Sequence, residues 1–281
     1  MGEIVLAVAA AHAPGLTGWM DKADEVTQVE VTNAYRELGR RIRSAELDVL
    51  VLIANDHLAN YNPDDYPDFV LGSGARHRGP AEWFKPWLNI DDYDMPGTPD
   101  LAERVHAGLA GHDGLRIEIN DALQFDDNIS VPVTMTGARD TGIPLLPVLQ
   151  NCTVPPIPDE RRSYAFGARL GHALRASTPE GARIGVFGTG GLSHEPGGPR
   201  YLEIDEKFDR WFLDLLAQGD HERILREATL ERMEEAGAGG TAELLSWLAV
   251  MGAVGERDCE VLCYACVPEW RCGVGAVAWS V

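Results

Sequence analysis

The sequence predicts an α/β fold of one domain, residues 1–281, with helices flanking a central sheet that is mostly parallel or mixed. Three observations point there. Apolar, β-compatible runs alternate with helical patterns along the chain. The first two runs bracket one helix with the spacing of a βαβ unit, so they should be parallel. No repeat, low-complexity tract or linker interrupts the sequence, and 281 residues suit one large domain.

The elements follow in order. Glu3 to Ala10 reads as a strand that stops at Ala11-His12-Ala13-Pro14-Gly15, because Pro and Gly end it. Asp24 to Ser44 is helical, with Val26, Val29, Val31, Tyr35, Leu38 and Ile42 on or near one face. Asp48 to Ala54 is continuously apolar, as in a strand covered on both faces, and runs out at Asn55-Asp56-His57. His12 and His57 should therefore emerge at the same sheet edge, the carboxyl end where open α/β sheets gather ligands. A short strand at Asp68 to Gly72 precedes a long irregular stretch, Ser73 to Thr98. Then come a helix (Pro99 to Leu109), strands (Leu115 to Ile119, Pro144 to Leu149) and a helix (Asp159 to Ala176). Ala182 to Phe187 is a buried strand ending in Gly188-Thr189-Gly190-Gly191-Leu192-Ser193-His194, the third strand to run out at a histidine. Helices at Leu202 to Gln218, His221 to Leu230 and Thr241 to Gly252 precede two closing strands, Cys259 to Cys266 and Val274 to Val281.

Charge narrows the function classes. With 44 Asp+Glu against 24 Lys+Arg the net charge is −20, a field that repels nucleic-acid phosphates and anionic lipid. An anionic substrate would have to meet a local basic patch set against that field. No apolar stretch is long enough to span a bilayer, and Met1 leads straight into a strand without a basic leader, so a cytoplasmic location is expected. Cys263 and Cys266 have CxxC spacing, but they lie in the run Val261 to Val267 with no second pair nearby. They read as buried strand residues used for packing.

The chemistry gathers at the strand ends. His12, His57 and His194 share that position, whereas His77, His106, His112, His172 and His221 fall in loops or on helices without partner spacing. Imidazole suits iron and zinc alike; two histidines plus one carboxylate leave three positions of an octahedral ion open, the arrangement of non-haem Fe(II) oxygenases. Glu243 is the candidate carboxylate, placed after the flexible Gly237-Ala238-Gly239-Gly240-Thr241 turn at the start of an apolar helix. An acid in a first helical turn is also favoured by the helix dipole alone, so position does not decide its role.

Four ordered motifs carry a resemblance. His12-Ala13-Pro14, Asn55-Asp56-His57, the Gly188 to His194 heptapeptide and Glu243-Leu244-Leu245-Ser246-Trp247, with Pro268-Glu269-Trp270 near the end, run along nearly the whole chain. They resemble the class III extradiol ring-cleavage dioxygenases, of the catalytic-subunit type that includes protocatechuate 4,5-dioxygenase, gallate dioxygenase and dihydroxyphenylpropionate dioxygenase. The resemblance implies an α/β sandwich, Fe(II) held by His12, His57 and Glu243, and His194 as acid/base. It implies a small aromatic diol and O2 as partners. It also implies a homodimer, in some members with a small second subunit over the site; here Ser73 to Thr98, with Trp83, Phe84, Pro86 and Trp87, is an alternative lid. Asn55 and Asp56 flank a ligand and either set the His57 tautomer or cap a turn; Asp126 and Ser193 adjoin site residues in the same way.

One position departs from the family pattern. Where a second active-site histidine is common, this chain has Asp127, in Asp126-Asp127-Asn128-Ile129-Ser130-Val131-Pro132. Either the substrate carries a basic or N–H group, as in a dihydroxypyridine or aminophenol, or Asp127 turns away from it. Two further readings stay open: a metal-binding interaction protein without oxygenase activity, and a zinc hydrolase using the same ligands.

Overall fold

The computed structural model describes residues 1–109, 111 and 114–281, so His112 lies outside the described residues. The strands are β1 (Glu3–Ala10), β2 (Val49–Asn55), β3 (Phe69–Gly72), β4 (Arg76–Gly79), β5 (Tyr93–Pro96), β6 (Ile117–Asn120), β7 (Leu145–Gln150), β8 (Arg183–Thr189), β9 (Cys259–Ala265) and β10 (Val274–Trp279). Eight form one mixed sheet in the order β6-β3-β7-β2-β8-β1-β10-β9, while β4 and β5 pair as a separate hairpin. β1 and β2 are parallel, as the βαβ spacing predicts, but β8 is inserted between them and pairs in parallel with both. The antiparallel pairs lie further out, at β3–β7, β1–β10 and β10–β9.

Helices α1 (Gly15–Gly18), α2 (Glu25–Ser44), α3 (Lys85–Leu88), α4 (Pro99–Leu109), α5 (Asp127–Met135), α6 (Glu160–Ser177), α7 (Glu206–Gln218), α8 (His221–Glu227), α9 (Leu230–Ala236) and α10 (Leu245–Val254) cover the sheet. Side chains alternate across it. Ala7, Ala9, Val51 and Ile53 join the core with α4, α6 and α10, whereas Val8, Ala10, Leu50 and Leu52 face α2 and α5. Burial on both faces is why β1, β2 and β8 read as unbroken apolar runs.

Helix α10 is buried along its whole length and apolar all round, as a core helix must be. It meets α6 backbone to backbone, since a Cβ on Gly167 would lie 1.9 Å from the Ala249 carbonyl oxygen. That close packing fixes α10 against β8. The 3-10 turn Thr241–Leu244 that leads into it therefore comes up beside the end of that strand.

Several expectations change. The stretch 73–98 is not irregular throughout but carries β4, α3 and β5. No element is predicted for residues 120–143, yet Asp127–Met135 is helical, with Asp126 accepting from the Asn128 N–H at 2.9 Å. The helix expected from Leu202 begins at Glu206, where the Asp205 side chain caps it. The one expected over His221 to Leu230 stops at Glu227, and Thr229 caps a new helix, α9. β9 is an edge strand rather than a buried one. Cys266 just beyond it is exposed, and all five cysteines are free.

Candidate metal centre

The insertion of β8 between β2 and β1 places three strand ends side by side. His12 follows β1, His57 follows β2, and the loop after β8 carries His194, as the sequence predicts. Glu243 rises between them from the turn before α10. Its Oε2 lies 3.1 Å from His12 Nε2, its Oε1 3.1 Å from His57 Nε2 and 3.4 Å from His194 Nε2. The backbone N–H of Gly191 donates to Oε2 at 2.7 Å, and Asn55 Nδ2 donates to Oε1 at 3.2 Å.

The glycines of the β8 loop make this approach possible. A Cβ on Gly190 would sit 2.5 Å from the Glu243 carbonyl oxygen, and one on Gly191 2.7 Å from the His194 ring. The Gly-rich heptapeptide is thus a packing requirement of the site.

Each ring is held by its outer nitrogen. The Thr189 hydroxyl donates to the Asn128 carbonyl at 2.7 Å, leaving its oxygen to accept from His12 Nδ1–H at 3.3 Å. His57 Nε2 hydrogen-bonds with Glu243 Oε1 at 3.1 Å, while Nδ1 lies 3.2 Å from Asp126 Oδ2 and 3.1 Å from Asp127 Oδ1, so carboxylates face both ring nitrogens. Carboxylate to imidazole to ligand position is the arrangement that fixes the tautomer of a metal-binding histidine. Asn55, read from sequence as a partner of His57, instead reaches Glu243. Asp56 accepts from Asn60 and Tyr66 and shapes the loop. The Ser193 hydroxyl accepts from the Asp205 N–H at 2.8 Å, so its role is to anchor the His194 loop.

The donors fit an ion. Ligand atoms bonded to one octahedral cation at about 2.1 Å and set at right angles lie about 3.0 Å apart. His12 Nε2 lies 3.1 Å from Glu243 Oε2 and His57 Nε2 3.1 Å from Glu243 Oε1, close to that spacing with each ring facing a different oxygen. Asp127 is a second carboxylate within reach, since it, His12 and His57 bring ligand atoms within 4.8 Å of one another. Glu243, Asp126 and Asp127 are all buried. Burial pushes the Glu243 carboxyl up, but His12 and His194 outweigh that and hold it well below the usual carboxylate range. Burial would lower His57, yet Asp126 and Asp127 lift it well above an ordinary imidazole. A field that favours a proton on His57 also favours a divalent cation.

A cavity of about 250 Å³ opens on the cluster. His12, His57, Asp127, His194 and Glu243 form its polar floor, and Pro14, Phe84, Trp87 and Pro196 its apolar walls. Phe84 and Trp87 come from the 73–98 segment, at the place expected of a lid. His194 Nδ1–H donates to the Leu192 carbonyl at 2.8 Å, which leaves Nε2 facing the cavity and the cluster.

Beneath the His194 loop lies a carboxylate that no sequence pattern reveals. Asp209 is 0% exposed and accepts from the Ser193 N–H at 2.7 Å and the Tyr264 hydroxyl at 2.9 Å. Burial pushes it up to about 6 from an ordinary 3.8, helped by Asp205 and opposed by the Ser193 and Tyr264 bonds. Cys266 and Cys272 also lie near it, and Arg210 sits over the Tyr264 ring. The folded state therefore holds this proton more tightly than the unfolded state, and stability should fall as pH rises from about 4 to about 6. Asp209→Asn should flatten that part of the profile, measured by urea melts across the pH range. An unchanged slope would contradict the assignment.

The family model described as the catalytic LigB subunit of aromatic ring-opening dioxygenase matches residues 6–275. A 2,3-dihydroxyphenylpropionate/2,3-dihydroxicinnamic acid 1,2-dioxygenase of Klebsiella pneumoniae is 27% identical over 321 aligned positions, covering 95% of this chain and 96% of that enzyme. Its Escherichia coli counterpart is 26% identical with the same coverage. Among solved structures, an uncharacterized protein of Escherichia coli K12 shares the fold, with a TM-score of 0.56, 16% identity, and coverage of 98% of this chain and 99% of that one. No helix among the described residues is long and apolar enough to cross a membrane. A family match over almost the entire length, on a chain whose strand ends converge on this cluster, shows that the protein belongs to the LigB family and is an extradiol ring-cleaving dioxygenase of aromatic diols.

Proposed function

We propose that the enzyme works with Fe(II) held by His12, His57 and Glu243, and that His194 moves the protons of the reaction. The observation that carries this reading is the convergence of two imidazole Nε2 atoms on one carboxylate at 3.1 Å each, with both outer nitrogens tied elsewhere. When bound, the ion supplies the Lewis acidity and one-electron chemistry that joining O2 to a diol requires. His194 Nε2 takes a hydroxyl proton as the diol seats and returns one to an oxygen as the ring opens, while the Leu192 carbonyl keeps the ring aligned. Phe84, Trp87, Pro14 and Pro196 press on the aromatic faces and exclude water.

The curated relatives act, by name, on 2,3-dihydroxyphenylpropionate and 2,3-dihydroxicinnamic acid, and a vicinal dihydroxy aromatic of that size is the substrate class taken here. Asp127 Oδ1 lies 3.1 Å from His57 Nδ1, which supports an orienting role toward that ring over contact with a basic substituent on the substrate. Asp127→Asn should then weaken iron affinity or turnover about 10–100-fold for every diol alike. Loss confined to aminophenols or dihydroxypyridines would instead place Asp127 against the substrate.

The test is direct. The protein is loaded with Fe(II) without air, mixed with a panel of catechols, gallates, aminophenols and dihydroxypyridines, and then exposed to air. O2 uptake with a new yellow chromophore is expected for at least one vicinal diol. A protein that retains iron yet consumes no O2 with any of them would refute the proposal.

A further inference from the structure

We infer that Asp209 is the positioning residue that aims the His194 imidazole, acting through the peptide plane between Leu192 and Ser193. The inference rests on the proton-carrying role proposed for His194 and goes beyond it to the group that holds that ring in place.

One peptide unit joins the two residues. Asp209 Oδ1 accepts from the Ser193 N–H at 2.7 Å, and the Leu192 carbonyl of the same peptide accepts from His194 Nδ1–H at 2.8 Å. The peptide group is planar, so a carboxylate that fixes its N–H also fixes the direction of its C=O. That carbonyl in turn sets where His194 Nε2 points. A charged acceptor at one end of such a chain also polarises the peptide and strengthens the bond at the other end. Asp209 itself does not line the ring cavity among the described residues, so it reaches the reaction through His194.

The carboxylate is itself held from two sides. The start of α7 grips Ser193 twice, one helical turn apart, because the Asp205 N–H donates to the Ser193 hydroxyl at 2.8 Å. Phe212, Leu213 and Leu216 bury α7 in the core, and the Tyr264 hydroxyl of β9 donates to Asp209 Oδ2 at 2.9 Å. The loop's remaining backbone is tied to other elements. Leu192 N–H donates to the Gly273 carbonyl at 3.1 Å, Gly273 N–H to the Ser193 carbonyl at 3.1 Å, and His194 N–H to Thr241 Oγ1 at 3.2 Å.

This placement is costly. Burial opposes the charge and pushes the carboxyl up to about 6. A side chain at position 273 is excluded too, since a Cβ there would lie 2.1 Å from Asp209 Oδ2 and 3.0 Å from Leu192 Cβ. An apolar residue at 209 would fill the space without either cost, which points to a task beyond packing.

A double-mutant cycle tests this. In iron-loaded enzyme, Asp209→Ala should leave iron content and KM unchanged and lower kcat about 10–100-fold, the cost of a catalytic group displaced by about an ångström. Added to His194→Ala it should cost nothing further, because the ring it aims is gone. Asp209→Asn, whose amide oxygen can still accept from the Ser193 N–H, should restore most of kcat. Metal-free protein with ¹³C-labelled histidine gives a readout apart from turnover. The His194 ring signal, identified by its absence from His194→Ala, should shift in Asp209→Ala while those of His12 and His57 stay in place. If Asp209→Ala does not fold, Tyr264→Phe, which removes the second anchor of the carboxylate, should lower kcat in the same His194-dependent way. Equal losses in the two backgrounds, undiminished kcat, an unmoved His194 signal or a fall in iron content overturns the inference and leaves His194 as proton carrier. Full kcat in His194→Ala overturns the proton-carrier reading itself.

Discussion

Replacing Glu243 with alanine should give a folded protein that no longer retains iron, with ring opening reduced to background. Glu243 faces the Nε2 atoms of His12, His57 and His194 together. Without it, only the two imidazoles would be left to hold the ion, and the Gly191 N–H and Asn55 amide lose their acceptor. Removing a group that only orients a ligand typically costs 10–100-fold in metal affinity, so deleting a ligand should cost at least about 100-fold. Metal analysis after gel filtration reads the loss, and circular dichroism checks the fold. The competing carboxylate gives the control. If Glu243→Ala keeps its iron and Asp127→Ala loses it, the third ligand belongs to the His12–His57–Asp127 grouping instead.

His194→Ala should separate metal binding from turnover. Its Nε2 stands 3.4 Å from Glu243 Oε1, further out than the His12 and His57 rings, and its Nδ1–H is committed to the Leu192 carbonyl. Iron content should be unchanged while kcat falls about 10²–10⁴-fold, the usual worth of a positioned acid/base. Iron analysis and O2-electrode rates on the same preparation decide it. Loss of iron would make His194 a ligand and require a different proton carrier.

How much of this was legible in the sequence follows from the range of each interaction. The positions of His12, His57 and His194 depend on where a strand stops, a local event marked by Pro, Gly and polar residues. Glu243 was legible only through its motif, because an acid before an apolar helix has a sufficient local reason to be there. The tie between His57 and Asp126–Asp127 was not legible at all. It requires the start of α5 to pack against the end of β2, where Asn128 Nδ2 donates to the Asn55 carbonyl at 2.7 Å. α5 itself was hidden because it is short, apolar and interrupted by Pro132. The insertion of β8 between β1 and β2 is a long-range pairing that no local pattern encodes.

At this site a vicinal diol should be opened beside its two hydroxylated carbons with O2. Mass spectrometry of the product formed under ¹⁸O2 by iron-loaded protein tests it most directly. Both labelled atoms are expected in a ring-opened product, cleaved outside the diol and allowing for exchange of the aldehyde or ketone oxygen with water. A product without label, or one cleaved between the two hydroxylated carbons, would contradict it.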